Sequence, residues 1–285
     1  MALSFDVLVL PAFDDLEGIP GELTPWYNAY DFDETVQVDG VPTPVAYAEQ
    51  GVGVVPTGVG KSAAATTVTA LLASEAVDLT GTTFLTVGIA GGPPNLPIGS
   101  VVIGNSIIDW DDKCRFDTHD DVTLTTNPYT EGQGVYTLDS SLVDRALSLA
   151  ETADLATDSD VPDPKQWGEQ GADEPVVVSG ANLCGDELWH GRDLAAKAEW
   201  LVDNHDVGPY RVTEMEDAGT AAALSRFDAL DRYLTIRAIS NFDRPQSDTA
   251  GEESLFGDAF DAGYGLAVEN AVTVAKHIVD DQLTQ

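Results

Sequence analysis

Short apolar runs recur along this chain, and stretches of helical periodicity separate them. The runs cover Asp6–Leu10, Thr83–Ile89, Ser100–Gly104, Pro175–Ser179 and Tyr233–Ser240. Several are continuous rather than alternating, the pattern of strands covered on both faces. Between them, Ala64, Val68, Leu71 and Leu72 fall on one helical face after Lys61, and Leu142, Ala146 and Leu149 do the same. A last helix aligns Val268, Ala271, Val272, Ala275 and Val279. Strands that alternate with helices predict a three-layer α/β/α architecture. Val36-Gln37-Val38 before Asp39-Gly40 reads as a strand entering a tight turn.

The chain has 285 residues and is 43% hydrophobic, enough for one large core, so we expect a single domain over 1–285. Residues 153–174 are polar and rich in Pro, Gly and Asp, and read as a surface insertion.

Charge narrows the partners. Forty-nine acidic residues stand against 13 basic ones, a net charge of -36. Such a surface repels nucleic acid and anionic membranes. The acids are spread along the chain rather than gathered in a tail. At about 1 M salt the Debye length falls to roughly 3 Å, which removes most of the self-repulsion. The expected setting is therefore the salt-rich cytoplasm of a halophile. No window approaches roughly 18 apolar residues, and the N-terminus has no basic region, so neither membrane insertion nor a secretory signal is expected. Cys114 and Cys184 read as free thiols. His119, His190, His205 and His277 show no paired ligand spacing, so no metal or cofactor is expected.

Five segments could carry chemistry. Gly58-Val59-Gly60-Lys61-Ser62 resembles a phosphate loop, but the first glycine of that motif is replaced by Val55; the alternative is a glycine turn into a helix. Thr86-Val87-Gly88-Ile89-Ala90-Gly91-Gly92 ends a buried strand in a glycine turn, where open α/β sheets bind ligands. Thr213-Glu214-Met215-Glu216-Asp217 leads into a helix. Its acids either complement the helix dipole or offer Glu216 to a sugar diol. Ser240-Asn241-Phe242-Asp243-Arg244 follows a strand, as a simple turn or as a group of polar contacts in one pocket. His190, beside Trp189, either lines a pocket or is structural.

Together these stretches resemble the purine nucleoside permease family, itself similar to the nucleoside phosphorylase and nucleosidase superfamily. The similar segments are 57–74, 84–102, 179–191, 213–224 and 236–245, in the family's order. The resemblance implies a twisted mixed central sheet of the nucleoside phosphorylase type, homo-oligomeric assembly and a small-molecule nucleoside partner, purines favoured. It implies a ribosyl site formed by Gly88, Ile89, Ala90 and Gly91, with Met215 packing on the ribose and Glu216 binding its hydroxyls. Ser240 and Asn241 would face the base. Many relatives carry aspartate where Asn241 stands, so Asp243 becomes a substitute acid. Thr86 occupies the place of an arginine that binds phosphate in phosphorylases, and residues 11–30 contain no Arg or Lys. Phosphate therefore stays an open partner, and hydrolysis is favoured. A water-activating carboxylate is expected among Asp14, Asp15 and Glu17. The implied activity is cleavage of the N-glycosidic bond, with a non-catalytic nucleoside-binding protein of uptake as the alternative.

Overall fold

The computed structural model describes residues 2–14, 21–118, 121–130, 132–169, 172–246, 255 and 259–284. Asp15, Glu17 and His119 lie outside the described residues. In chain order the elements are β1 (Leu3–Ser4), β2 (Val7–Leu10), α1 (Thr24–Ala29), β3 (Glu34–Val36), β4 (Val45–Tyr47), β5 (Val52–Val54) and α2 (Lys61–Ala73). There follow β6 (Val77–Asp78), β7 (Thr83–Gly92), β8 (Val101–Asp109), β9 (Lys113–Thr118), β10 (Asp121–Thr126), β11 (Val135–Thr137) and α3 (Ser140–Ala150). The chain continues with β12 (Val177–Cys184), α4 (Arg192–His205), β13 (Tyr210–Glu214), α5 (Asp217–Arg226), β14 (Tyr233–Phe242) and α6 (Ala259–Gln282).

The α/β expectation with a mixed sheet holds. One sheet runs in the order β11-β8-β12-β13-β7-β2-β5-β4-β3. β14 pairs parallel with β7 and antiparallel with β8. Because β12 joins β8 to β13, and β13 touches β7, the five strands β7, β14, β8, β12 and β13 close into a ring. β7 and β14 are the interior of this arrangement, and almost every residue of each is buried. That is why both read as continuous apolar runs. Helix α6 packs on β14 and β7, α5 pairs with α2, and α4 lies on β12 and β13.

β8 and β12 run furthest past their apolar signal, and β7 and β14 also continue, to Gly92 and Phe242. β8 continues past Gly104 through Asn105 and Ser106 to Asp109. β12 continues past Ser179 through Gly180, Ala181 and Asn182 to Cys184. Small and polar residues hid these extensions, although Ser106 and Asn182 are buried and hydrogen-bonded. In α3 the buried stripe is Val143, Ala146 and Ala150, while Leu142 and Leu149 sit at its flanks. Asp139 caps that helix by accepting from the Leu142 amide at 3.0 Å.

The 153–174 segment is tied down at both ends of its described part. The Asn270 side chain accepts from the Ala156 amide. The Trp167 ring meets Phe242 edge-on at 4.5 Å, and its Nε1 donates to the Arg244 carbonyl.

Candidate functional site

The sheet register gathers the distant segments. Gly91 of β7 pairs with Thr213 of β13 on one side and with Asn241 of β14 on the other. A register shift at Ser240 lets β14 bend there. The residues after Thr213 and around Asn241 therefore flank the end of β7 by topology alone, and β7 stays extended through Gly92 where the sequence predicts a glycine turn. A cleft forms at this point, lined by Ile89, Ala90, Gly91, Met215, Glu216, Ser240, Asn241 and Asp243, together with Ala12, Glu22, Glu214, Trp189 and Arg237. Its cavity volume is about 200 Å³.

Arg237, central in β14, organises the floor. It is 2% exposed, and all its donors are engaged. Nε and Nη2 form a fork on Asp217 at 3.2 and 2.5 Å, and Nη2 also lies 3.0 Å from Glu214 Oε2. Nη1 reaches Glu216 Oε2 and the Ile89 carbonyl, each at 3.3 Å. Asn182 and Thr235 also donate to Asp217, both to Oδ2. A lone arginine in the apolar stretch Ile236–Ser240 needs such partners, because an unpaired buried cation is prohibitively costly.

Glu216 sits at the start of α5 and is 5% exposed. Its Oε1 accepts from the Gly60 amide at 3.0 Å. Each oxygen keeps a second lone pair, enough for two neighbouring sugar hydroxyls. Burial raises its pKa, and Arg237 and the Gly60 amide work against that rise. The Gly58–Lys61 turn thus gives its amide to a carboxylate of the chain. The Lys61 ammonium is held by Asp109 at 2.5 Å and Asp111 at 2.7 Å. This is not how a phosphate loop uses its lysine. The close contact of α2 with α5 needs Gly219, since a Cβ there would stand 2.1 Å from the Lys61 carbonyl oxygen.

Glu22, like Glu214 and Arg237, is a site residue absent from the sequence-based candidates. The Glu22 carboxylate accepts from the Ala12 amide at 2.7 Å and the Ile89 amide at 2.8 Å. Burial pushes its pKa up to about 7, with Arg237 pulling it down and Glu216 adding to the rise. A signal existed. Gly88 interrupts a bulky buried strand, and a Cβ on it would stand 2.2 Å from Glu22 Oε1. The glycine is the space the glutamate fills.

The other expected residues lie as follows. Asn241 is half-buried, its Oδ1 2.8 Å from Ser240 Oγ and its Nδ2 donating to the Phe242 carbonyl. Asp243 lines the cleft, but Arg244 grips both its oxygens and Tyr210 donates to Oδ2 at 3.0 Å. That commitment suits it to fixing the corner rather than to proton transfer. Gly88, Gly58, Thr86, Asp14 and His190 are not among the lining residues. Thr86 is fully buried, with its hydroxyl 2.8 Å from that of Tyr233. Asp14 is exposed. His190 borders a small adjoining hollow with Trp167 and Phe242, and burial lowers its pKa. Among the described residues no cluster of His, Cys, Asp and Glu could hold a metal, and no helix is long and apolar enough to cross a membrane.

Comparison with known proteins adds family and fold. The chain matches the family described as purine nucleoside permease over residues 4–285. It is 29% identical over 296 residues to a purine nucleoside permease of Candida albicans, spanning 91% of this chain and 72% of that protein. A probable purine nucleoside permease of Schizosaccharomyces pombe is 26% identical over 257 residues, spanning 79% and 73%. Among solved structures, the 5'-methylthioadenosine/S-adenosylhomocysteine nucleosidase of Neisseria meningitidis, in complex with methylthio-immucillin-A, superposes with a TM-score of 0.65. It is 19% identical, over 96% of this chain and 98% of that one. Futalosine hydrolase of Helicobacter pylori gives 0.66 at 19% identity, over 97% and 98%. At these identities the structural likeness is one of fold.

Proposed function

The chain belongs to the purine nucleoside permease family, and from that premise we propose that it binds a purine nucleoside in this cleft and cleaves the N-glycosidic bond with water. The carrying observation is the meeting of Met215-Glu216, Ile89–Gly91 and Ser240-Asn241 around one cavity that also holds Glu22. In this reading Glu216 grips the sugar diol and Met215 covers the ribose. Glu22, ionised above its pKa of about 7, takes a proton from water as the water oxygen bonds to the anomeric carbon. The electron pair of the broken bond leaves with the base. Asn241, its Oδ1 held by Ser240, turns its amide N–H towards that base and stabilises it by a hydrogen bond.

Charge favours water over phosphate. Glu22, Glu187, Glu216 and Asp243 line the cleft, against Arg237, whose donors are already committed to carboxyl groups and a carbonyl. A phosphate dianion would meet net negative charge and no available guanidinium. The names of the curated relatives favour a second reading, a binding protein of nucleoside uptake that performs no chemistry. The same proposal includes a single domain that works as a homo-oligomer in a salt-rich cytoplasm, which sedimentation in molar salt would test.

The deciding experiment incubates the protein in molar salt with a nucleoside panel, with and without phosphate, and separates the products. We expect free base and free ribose at a rate indifferent to phosphate. Ribose 1-phosphate would overturn the hydrolytic reading. Binding without any released base would favour the uptake reading.

A further inference from the structure

Glu214 ends β13 and lines the cleft, yet the mechanism above gives it no task. Its side chain is 2% exposed. Oε2 accepts from the amides of Glu216 and Asp217 at 2.7 and 3.0 Å and faces Arg237. Oε1 is buried and meets no hydrogen-bond partner among the described residues. An anionic oxygen left so is expensive, because burial strips its water without replacing it. A neutral carboxyl removes the difficulty: Oε2 remains the acceptor, and Oε1 carries a proton that needs an acceptor.

The surroundings agree. The groups that face Glu214 are Glu216 and Asp217 at the start of α5, Arg237 and Tyr233 on β14, and Cys184 on β12. Burial keeps the Tyr233 hydroxyl and the Cys184 thiol neutral, so Arg237 is the cation shared by three carboxyls. One guanidinium cannot neutralise three carboxylates in a dry site, and like charges this close do not all ionise. Asp217 takes the fork of Arg237 and two further donors, and Glu216 receives Arg237 and the Gly60 amide. Glu214 is the member with an oxygen to spare for a proton. Burial and the Asp217 charge raise its pKa, against the pull of Arg237.

We propose that Glu214 is neutral in the cleft and donates its Oε1 hydroxyl to an acceptor oxygen of the bound ligand, as a specificity-determining contact to the sugar. This rests on the nucleoside reading. It assigns Glu214 a donor's role beside the acceptor Glu216, so the sugar is read by both polarities.

The test uses an E22Q background, which slows turnover and removes the titration of Glu22. Inosine is titrated calorimetrically into E22Q, E22Q/E214L and E22Q/E214Q at neutral and alkaline pH, and the protonated-carboxyl infrared band is recorded for each. In E22Q, affinity should fall at least about ten-fold on going alkaline, as the donor is lost. E214L should show a loss of about that size already at neutral pH. E214Q, whose amide donates from the same place, should recover most of it, abolish the alkaline fall and weaken the infrared band. Equal affinity of E214L and E214Q, an unaltered alkaline fall in E214Q, or an unaltered band each overturns the proposal. If E22Q binds no nucleoside, as the native chain then should not either, the nucleoside reading fails, and the donor role fails with it. The infrared comparison then still decides whether Glu214 holds a proton.

Discussion

Arg237 and Lys61 each sit among several carboxylates, one in a dry floor and the other at a wet rim. The Arg237 side chain is 3% exposed, and its partners Glu214, Glu216 and Asp217 are 2, 6 and 0% exposed. The Lys61 side chain is 14% exposed between Asp109 at 27% and Asp111 at 46%. Both clusters carry more acid than base. In the floor, burial outweighs attraction, and Glu214 and Glu216 hold protons more tightly than ordinary carboxylates. At the rim, burial is the largest single influence on Asp111, but the pull of Lys61 and its neighbours together exceeds it and lowers the pKa. The same residue types thus make a proton-holding site where water is excluded and a clamp where it is not. The Gly60-Lys61 step links the two, since the Gly60 amide binds Glu216 and the next side chain binds Asp109 and Asp111.

The strongest way to break this contrast is Arg237→Met. Three carboxyls would lose their shared cation, and destabilisation of about 3–5 kcal/mol is expected in denaturant titration. Near-native stability would mean that the floor is not an ion cluster. Glu22→Gln should leave the fold intact and lower turnover about 10²–10³-fold. The pH profile sharpens the point. Glu22 must lose its proton to act as a base, so native turnover should rise as pH increases through about 7, and that limb should vanish in E22Q. Stability should run the other way. A carboxyl whose folded pKa is raised contributes most below its unfolded value of 4.5 and loses that contribution as pH climbs through about 7. The smallest effect is expected at the rim. Lys61→Met should cost less than about 1 kcal/mol, and the difference should shrink in molar salt. A larger loss that persists in salt would erase the distinction between rim and floor.

The sequence displayed the strands of the floor clearly, because β7 and β14 are buried on both faces and tolerate few polar residues. It also displayed Met215-Glu216 and Ser240-Asn241, as motifs of a family resemblance. What joins them, the double pairing of Gly91 with Thr213 and Asn241, is a matter of register, which no local pattern encodes. Glu22 escaped notice for a related reason. Asp14 and Glu17 are equally acidic, and only the seating of its carboxylate against Gly88 and the Ile89 amide selects Glu22. Arg237 was legible in principle as a cation stranded in an apolar strand, with Thr213–Asp217 as the obvious supply of acids. Trp167 was not, because its polar surroundings in 153–174 disguise a ring seated against Phe242.

The central claim is that Glu216, held by Gly60 and Arg237, anchors a nucleoside in this cleft. It is tested most directly by titrating a purine nucleoside into native, E216A and K61M protein side by side in molar salt. The account predicts binding by native and K61M protein and a loss of at least about 100-fold in E216A. Equal affinity in E216A, or no binding by the native chain, would contradict it.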